Sequence, residues 1–127
     1  MAKILLVSGD DAVWTAFNTA VSPDSHETYA GDSVTDALHS EVAECFDIVV
    51  LDIVTPDNGI LRAIIELQHA RSSVRWVLLI KGLADLSSVD FLQSASAIPG
   101  VEVTTRRGMV GALERATRPR NHLMAAA

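Results

Sequence analysis

The sequence predicts an α/β fold, with one parallel sheet of five strands and helices on both faces. Three observations predict it. Short apolar runs alternate with helically spaced apolar residues five times over. The run Ile48-Val49-Val50-Leu51 is unbroken and ends in turn residues, as a strand buried on both faces should. The 127 residues are enough for one domain with one core. Strand–helix alternation of this kind implies right-handed crossovers between neighbouring parallel strands.

Each element has its own local signal. Lys3 to Val7 is an apolar strand, and Ser8-Gly9-Asp10-Asp11 turns the chain. Asp10 or Asp11 is placed to cap the first helix, on which Val13, Phe17 and Ala20-Val21 recur. Ser22-Pro23-Asp24-Ser25 ends that helix, and His26 to Ala30 is a more polar strand suited to a sheet edge. Asp32 or Ser33 caps a second helix, with Val34, Ala37-Leu38, Val42 and Cys45 as its apolar face. After the central strand, Pro56 and Asn58-Gly59 close a loop. Leu61, Ile64-Ile65 and Leu67 then mark a third helix, ending near Ser72-Ser73. Val74 to Ile80 is a fourth strand, broken by Lys81-Gly82. A weaker fourth helix runs from Ala84 to Ala97, with Leu86, Val89 and Leu92 facing inward. Ile98-Pro99-Gly100 turns into the β-branched strand Val101 to Thr105. Met109-Val110, Leu113 and Ala116 mark a last helix, stopped by Pro119. Residues 1–118 therefore read as the domain and 119–127 as a frayed C-terminal tail.

Composition narrows the function. The chain is 49% hydrophobic but 5% aromatic, so its core is aliphatic. A net charge of −6 argues against nucleic-acid binding by this domain. The single cysteine, Cys45, excludes an internal disulfide and reads as a small core residue. The first residues lack the apolar run of a signal peptide, and no apolar run is long enough to span a bilayer. The expectation is a cytoplasmic protein with no membrane contact. His26, His39, His69 and His122 have no metal-ligand spacing and read as surface residues. Trp14 and Trp76 are expected to be partly exposed, each able to anchor a contact.

Chemistry in an open parallel sheet gathers at the carboxyl ends of the strands. Asp52 stands where the central strand should leave the core, which makes it the leading candidate site residue.

Five βα units, with an Asp ending the third strand, resemble the receiver domain of bacterial two-component response regulators. The resemblance spans nearly the whole chain. It is carried by Lys3-Ile4-Leu5-Leu6-Val7, Thr28-Tyr29-Ala30-Gly31-Asp32 and Asp47 through Gly59. It implies the flavodoxin-like strand order 2-1-3-4-5. It also implies that Asp52 is the phospho-acceptor position. Pro56 matches the family pattern, and Gly59 comes one residue early.

The other family positions depart from the pattern. Two Mg²⁺-holding acids follow the first strand in the family; here Ser8 and Gly9 stand there, with Asp10 and Asp11 two places on. The simpler expectation is that one of those two acids caps the helix and the other is solvated. The family's hydroxyl at the end of the fourth strand is Lys81 here, and its switching aromatic in the fifth strand is Val103. The family's Lys-Pro after the fifth strand is Arg106-Arg107. On this alignment the family pocket carries a net charge of about −2, which recruits a divalent cation, whereas Asp52 against Lys81 and Arg106 gives about +1. The expected pocket of Ser8, Gly9, Asp10, Asp11, Lys81 and Arg106 thus ion-pairs Asp52, with Lys81 close to the metal's place. No metal or other cofactor is expected, and Mg²⁺ on Asp10 and Asp52 enters only if the domain is a working phospho-acceptor.

The function this implies is a receiver-like signalling domain with a degenerate pocket, acting through a protein partner and not as an enzyme. The partner would be a histidine kinase or another signalling domain, and a homodimer stays open. The resemblance points to the face of the fourth helix, fifth strand and fifth helix, with Arg107 and Arg115 as its basic residues. Two alternatives remain: a phospho-acceptor using Asp52 with Asp10 or Asp11 and Mg²⁺, and a small enzyme or cofactor binder with a cleft beside Gly9 and Gly82.

Overall fold

The computed structural model describes residues 2–21, 26–31, 33–39, 45–55, 57–70, 73–80 and 86–117, with backbone alone for 86–89. The elements are β1 (Ala2–Val7), α1 (Asp11–Ala20), β2 (His26–Gly31), α2 (Val34–Ala37), β3 (Ile48–Ile53) and α3 (Asn58–Ala70). They continue with β4 (Arg75–Ile80), α4 (Leu86–Ser96), β5 (Val101–Thr105), a 3₁₀ turn (Arg106–Gly108) and α5 (Met109–Thr117). All strand pairs are parallel, and the sheet order is β2-β1-β3-β4-β5, as the sequence predicts.

The two-residue period of the strands sorts their side chains onto two sides. Leu5, Val7, Val49, Leu51, Trp76, Leu78 and Ile80 pack with Leu61 and Ile64 of α3 and Phe91 and Ala95 of α4. Ile4, Leu6, Ile48, Val50, Val77 and Leu79 pack with Val13 and Phe17 of α1 and Met109, Ala112 and Leu113 of α5. Every residue of β3 is buried. Each fully buried aliphatic side chain contributes about 1.5–3 kcal/mol, so β3 and β4, each with five buried apolar side chains, anchor the sheet. By the same alternation Asp52 lies on the α1/α5 side, in register with Leu79 of β4.

Several local expectations need correction. Asn58-Gly59 does not close a loop but opens α3, because Asp57 caps it: its Oδ1 accepts the Gly59 N–H at 2.8 Å and its carbonyl accepts the Ile60 N–H. Cys45 is exposed in the turn before β3, where helical periodicity no longer applies. On α4, Phe91 and Ala95 are buried and Leu92 is partly buried, while the side chains of Leu86 and Val89 lie outside the described residues. Ile65 of α3 is 42% exposed because Leu61 and Ile64 already fill the contact with the sheet. Trp76 is 1% exposed, since its indole N–H has a partner in the Gln68 Oε1 at 3.1 Å. Trp14, by contrast, is partly buried as expected.

Gly100 enters β5 with φ of +83°, a conformation side chains rarely adopt. The Gln68 amide lies against it and donates to the Pro99 carbonyl at 2.6 Å. No described helix is long and apolar enough to cross a membrane.

Candidate functional site

The parallel registers bring the carboxyl ends of β1, β3, β4 and β5 to one edge of the sheet. Ser8 follows β1, Asp52 is the penultimate residue of β3, and Arg106 follows β5. Residues 44 and 54 positions apart in the chain therefore meet.

Arg106 reaches across this edge and grips Asp52 with a two-pronged fork. Its Nε donates to Oδ1 at 3.0 Å and its Nη2 to Oδ2 at 2.8 Å. Its Nη1 donates to Asp10 Oδ2 at 2.6 Å. The Ser8 hydroxyl donates to Asp52 Oδ2 at 2.7 Å and accepts the Asp10 backbone N–H at 3.1 Å. Asp52 is 5% exposed, yet both of its oxygens are engaged. No buried side-chain nitrogen or oxygen among the described residues lacks a partner.

Asp10 serves two structures at once. Its Oδ1 caps α1 by accepting the Ala12 N–H at 2.8 Å, and its Oδ2 meets Arg106. The Ala12 hydrogen bond, with help from the Arg106 charge, holds its carboxyl below the usual value of 3.8. The Asp52 hydrogen bonds in turn raise the pKa of Arg106 above its already high ordinary value. Asp11 is exposed in the first turn of α1, where its charge complements the helix dipole. The division expected from the sequence, one cap and one solvated acid, holds for the cap. The capping acid, however, also enters the pocket, because the cap uses only one of its two oxygens.

That second role changes the charge balance. Asp10 and Asp52 against Arg106 give a net charge of −1 among the described residues. Lys81, expected beside Asp52, lies outside the described residues, as do Pro56 and Gly82. Gly9 opens to solvent, with no atom near its Cα hydrogens, and contributes no wall. Val103 packs with the α3/α4 side of the core, away from the Asp52 side. The sequence did not flag Trp14 for the pocket. Its indole N–H donates to the Ser8 carbonyl at 2.9 Å and so fixes the turn that carries the Ser8 hydroxyl.

The two basic residues of the expected partner face differ. Arg107 is exposed on the 3₁₀ turn, whereas Arg115 is bound through Nε and Nη2 to Glu102 of β5. Of the expected surface histidines, His39 and His69 are exposed, His26 accepts the Ala2 N–H through Nδ1, and His122 lies outside the described residues. Two clefts, of about 340 and 490 Å³, lie around Gly100 at the opposite end of the strands from Asp52.

No protein-family model matches the sequence, and no curated protein is significantly similar to it. Solved structures are similar in fold. A response regulator of Burkholderia multivorans superposes with a TM-score of 0.66 at 15% identity, covering 94% of this chain and 98% of that one. A CheY-like response regulator receiver domain of Methanospirillum hungatei gives 0.60 at 16% identity, covering 91% and 92%. A Burkholderia thailandensis protein named for pilus assembly gives 0.62 at 20% identity, covering 91% and 98%. With its strand order and its helices on both faces, the chain has the fold of CheY-like receiver domains.

Proposed function

We propose that this chain is a receiver-type signalling domain that works by binding a protein partner, with a phospho-acceptor pocket closed from within. The observation that carries the reading is the Arg106 fork on Asp52. Both Asp52 oxygens already accept charged donors, and Ser8 adds a third hydrogen bond. Phosphoryl transfer depends on a free attacking oxygen held in line and on a cation that neutralises the incoming group. Here the cation sits on the attacking group itself. The arrangement lowers the nucleophilicity of Asp52 and favours a pocket that stays in one state. Partner recognition then falls to the exposed residues of the α4-β5-α5 face, with Arg107 more available than the Glu102-bound Arg115. Occurrence of the same fold in a protein named for pilus assembly supports a role in assembly or docking. The partner would be another signalling or assembly protein; enzymatic turnover has no support in this pocket.

Intact-mass measurement after incubation with a small phosphodonor and Mg²⁺ tests the closed pocket. The expected result is no phosphoryl adduct. An adduct that disappears in Asp52→Asn would establish the phospho-acceptor instead. Arg107→Glu should weaken capture of the native partner more than Arg115→Glu does, and equal recovery of both with the native protein would remove this face.

A further inference from the structure

We infer that Arg106 takes the place of a divalent cation in this pocket, and that its side chain keeps such an ion out. The inference rests on the reading of Asp52 as the receiver-type acidic pocket; it does not depend on partner binding. Magnesium requires near-octahedral oxygen ligation and takes one or two carboxylates, completing its shell with water. Asp10 and Asp52 would supply that number. What does not fit is the arrangement around them. The two terminal nitrogens of one guanidinium lie 2.6 Å from Asp10 and 2.8 Å from Asp52, so a positive charge already fills the space between the two acids.

The remaining oxygens are also committed. Asp10 Oδ1 accepts the Ala12 N–H, and Asp52 Oδ1 accepts Arg106 Nε. A divalent ion would have to share these oxygens with a guanidinium only a few ångströms away, and like charges at that range repel strongly. The side-chain exposure of Asp52 is 1%, so water screens that repulsion little at its end of the pocket. No group of three or more acidic, His or Cys side chains offers another site among the described residues.

Exchange of this one residue should therefore uncover a pair of carboxylates facing a common space. Ser8 and the cap of α1 hold both acids in place without Arg106.

The test is a Mn²⁺ titration followed by the loss of the free-ion electron paramagnetic resonance signal. The native protein should show no saturable binding. Arg106→Met should bind at least ~10-fold more tightly than the native protein, a difference of about 1.4 kcal/mol. Asp52→Asn in that background should abolish the gain. Arg106→Lys retains a cation that reaches only one acid at a time, and it should fall between the two. It serves as the second variant if Arg106→Met does not fold. Saturable binding by the native protein would overturn the inference, as would a folded Arg106 variant without any gain. A gain that survives Asp52→Asn would overturn it too. No phosphodonor is present, so any of these failures leaves the phosphorylation test and the partner-binding proposal standing.

Discussion

Removal of the Arg106 side chain should be the most damaging single change in the pocket. Arg106→Ala leaves Asp52, whose side chain is 1% exposed, with the Ser8 hydroxyl as its remaining partner among the described residues. Breaking a buried ion pair from one side costs about 3–5 kcal/mol, because the other charge stays buried. Arg106 itself is 27% exposed, so water enters the vacated space and lowers that figure. The bond to Asp10, whose side chain is 38% exposed, adds little because water screens it. The expected loss is about 2–4 kcal/mol. With an m value of about 1.5 kcal/mol/M, the urea midpoint falls by about 1–3 M. Adding Asp52→Asn should recover part of the loss, since an amide is far cheaper to bury than an unpaired carboxylate. A loss below about 1 kcal/mol, or a double variant less stable than Arg106→Ala, would refute the view that Arg106 compensates Asp52.

Three further outcomes are expected. The carboxyl of Asp10 titrates below its ordinary value in the folded protein, so its contribution is present above that value and is lost as pH falls through the depressed one. Asp10→Asn keeps an oxygen for the Ala12 N–H and should flatten this part of the acid limb in pH-dependent urea melts; an unchanged limb would place the effect elsewhere. Gly100→Ala forces a side chain into φ of +83° and against the Gln68 amide; it should cost about 1–2 kcal/mol in thermal unfolding, and a neutral result would show that the turn relaxes freely. Arg115→Gln breaks the exposed pair with Glu102 and should leave the urea midpoint nearly unchanged, the more so in high salt, and a clear loss in urea melts would mark it as structural.

The fold was legible because aliphatic runs of strand length alternate with helical spacing, and every predicted strand is present. Asp52 was legible for the same reason: a charge ending a continuous apolar run must sit at the rim of the sheet. Its pairing was only half legible. Arg106 directly follows β5, so topology alone places it at that rim, but the reach of a guanidinium to two acids depends on side-chain conformation that no spacing encodes. The second role of Asp10 was hidden because a helix cap accounts for the residue completely at the level of sequence. Trp76 misled because average behaviour makes tryptophan semi-exposed; what buried it was Gln68, eight residues earlier, supplying one acceptor. Cys45 misled because helical spacing was extended past the point where the chain had begun its approach to β3.

Gln68 also gives the far end of the sheet a polarity. Its amide oxygen receives the Trp76 indole and its amide nitrogen binds the Pro99 carbonyl, so one side chain ties the last turn of α3 to both β4 and the entry to β5. The clasp works in one orientation only. A glutamate there could receive but not give, and would leave the exposed Pro99 carbonyl to water; a lysine could give but not receive, and would leave the indole N–H of the buried Trp76 without its acceptor.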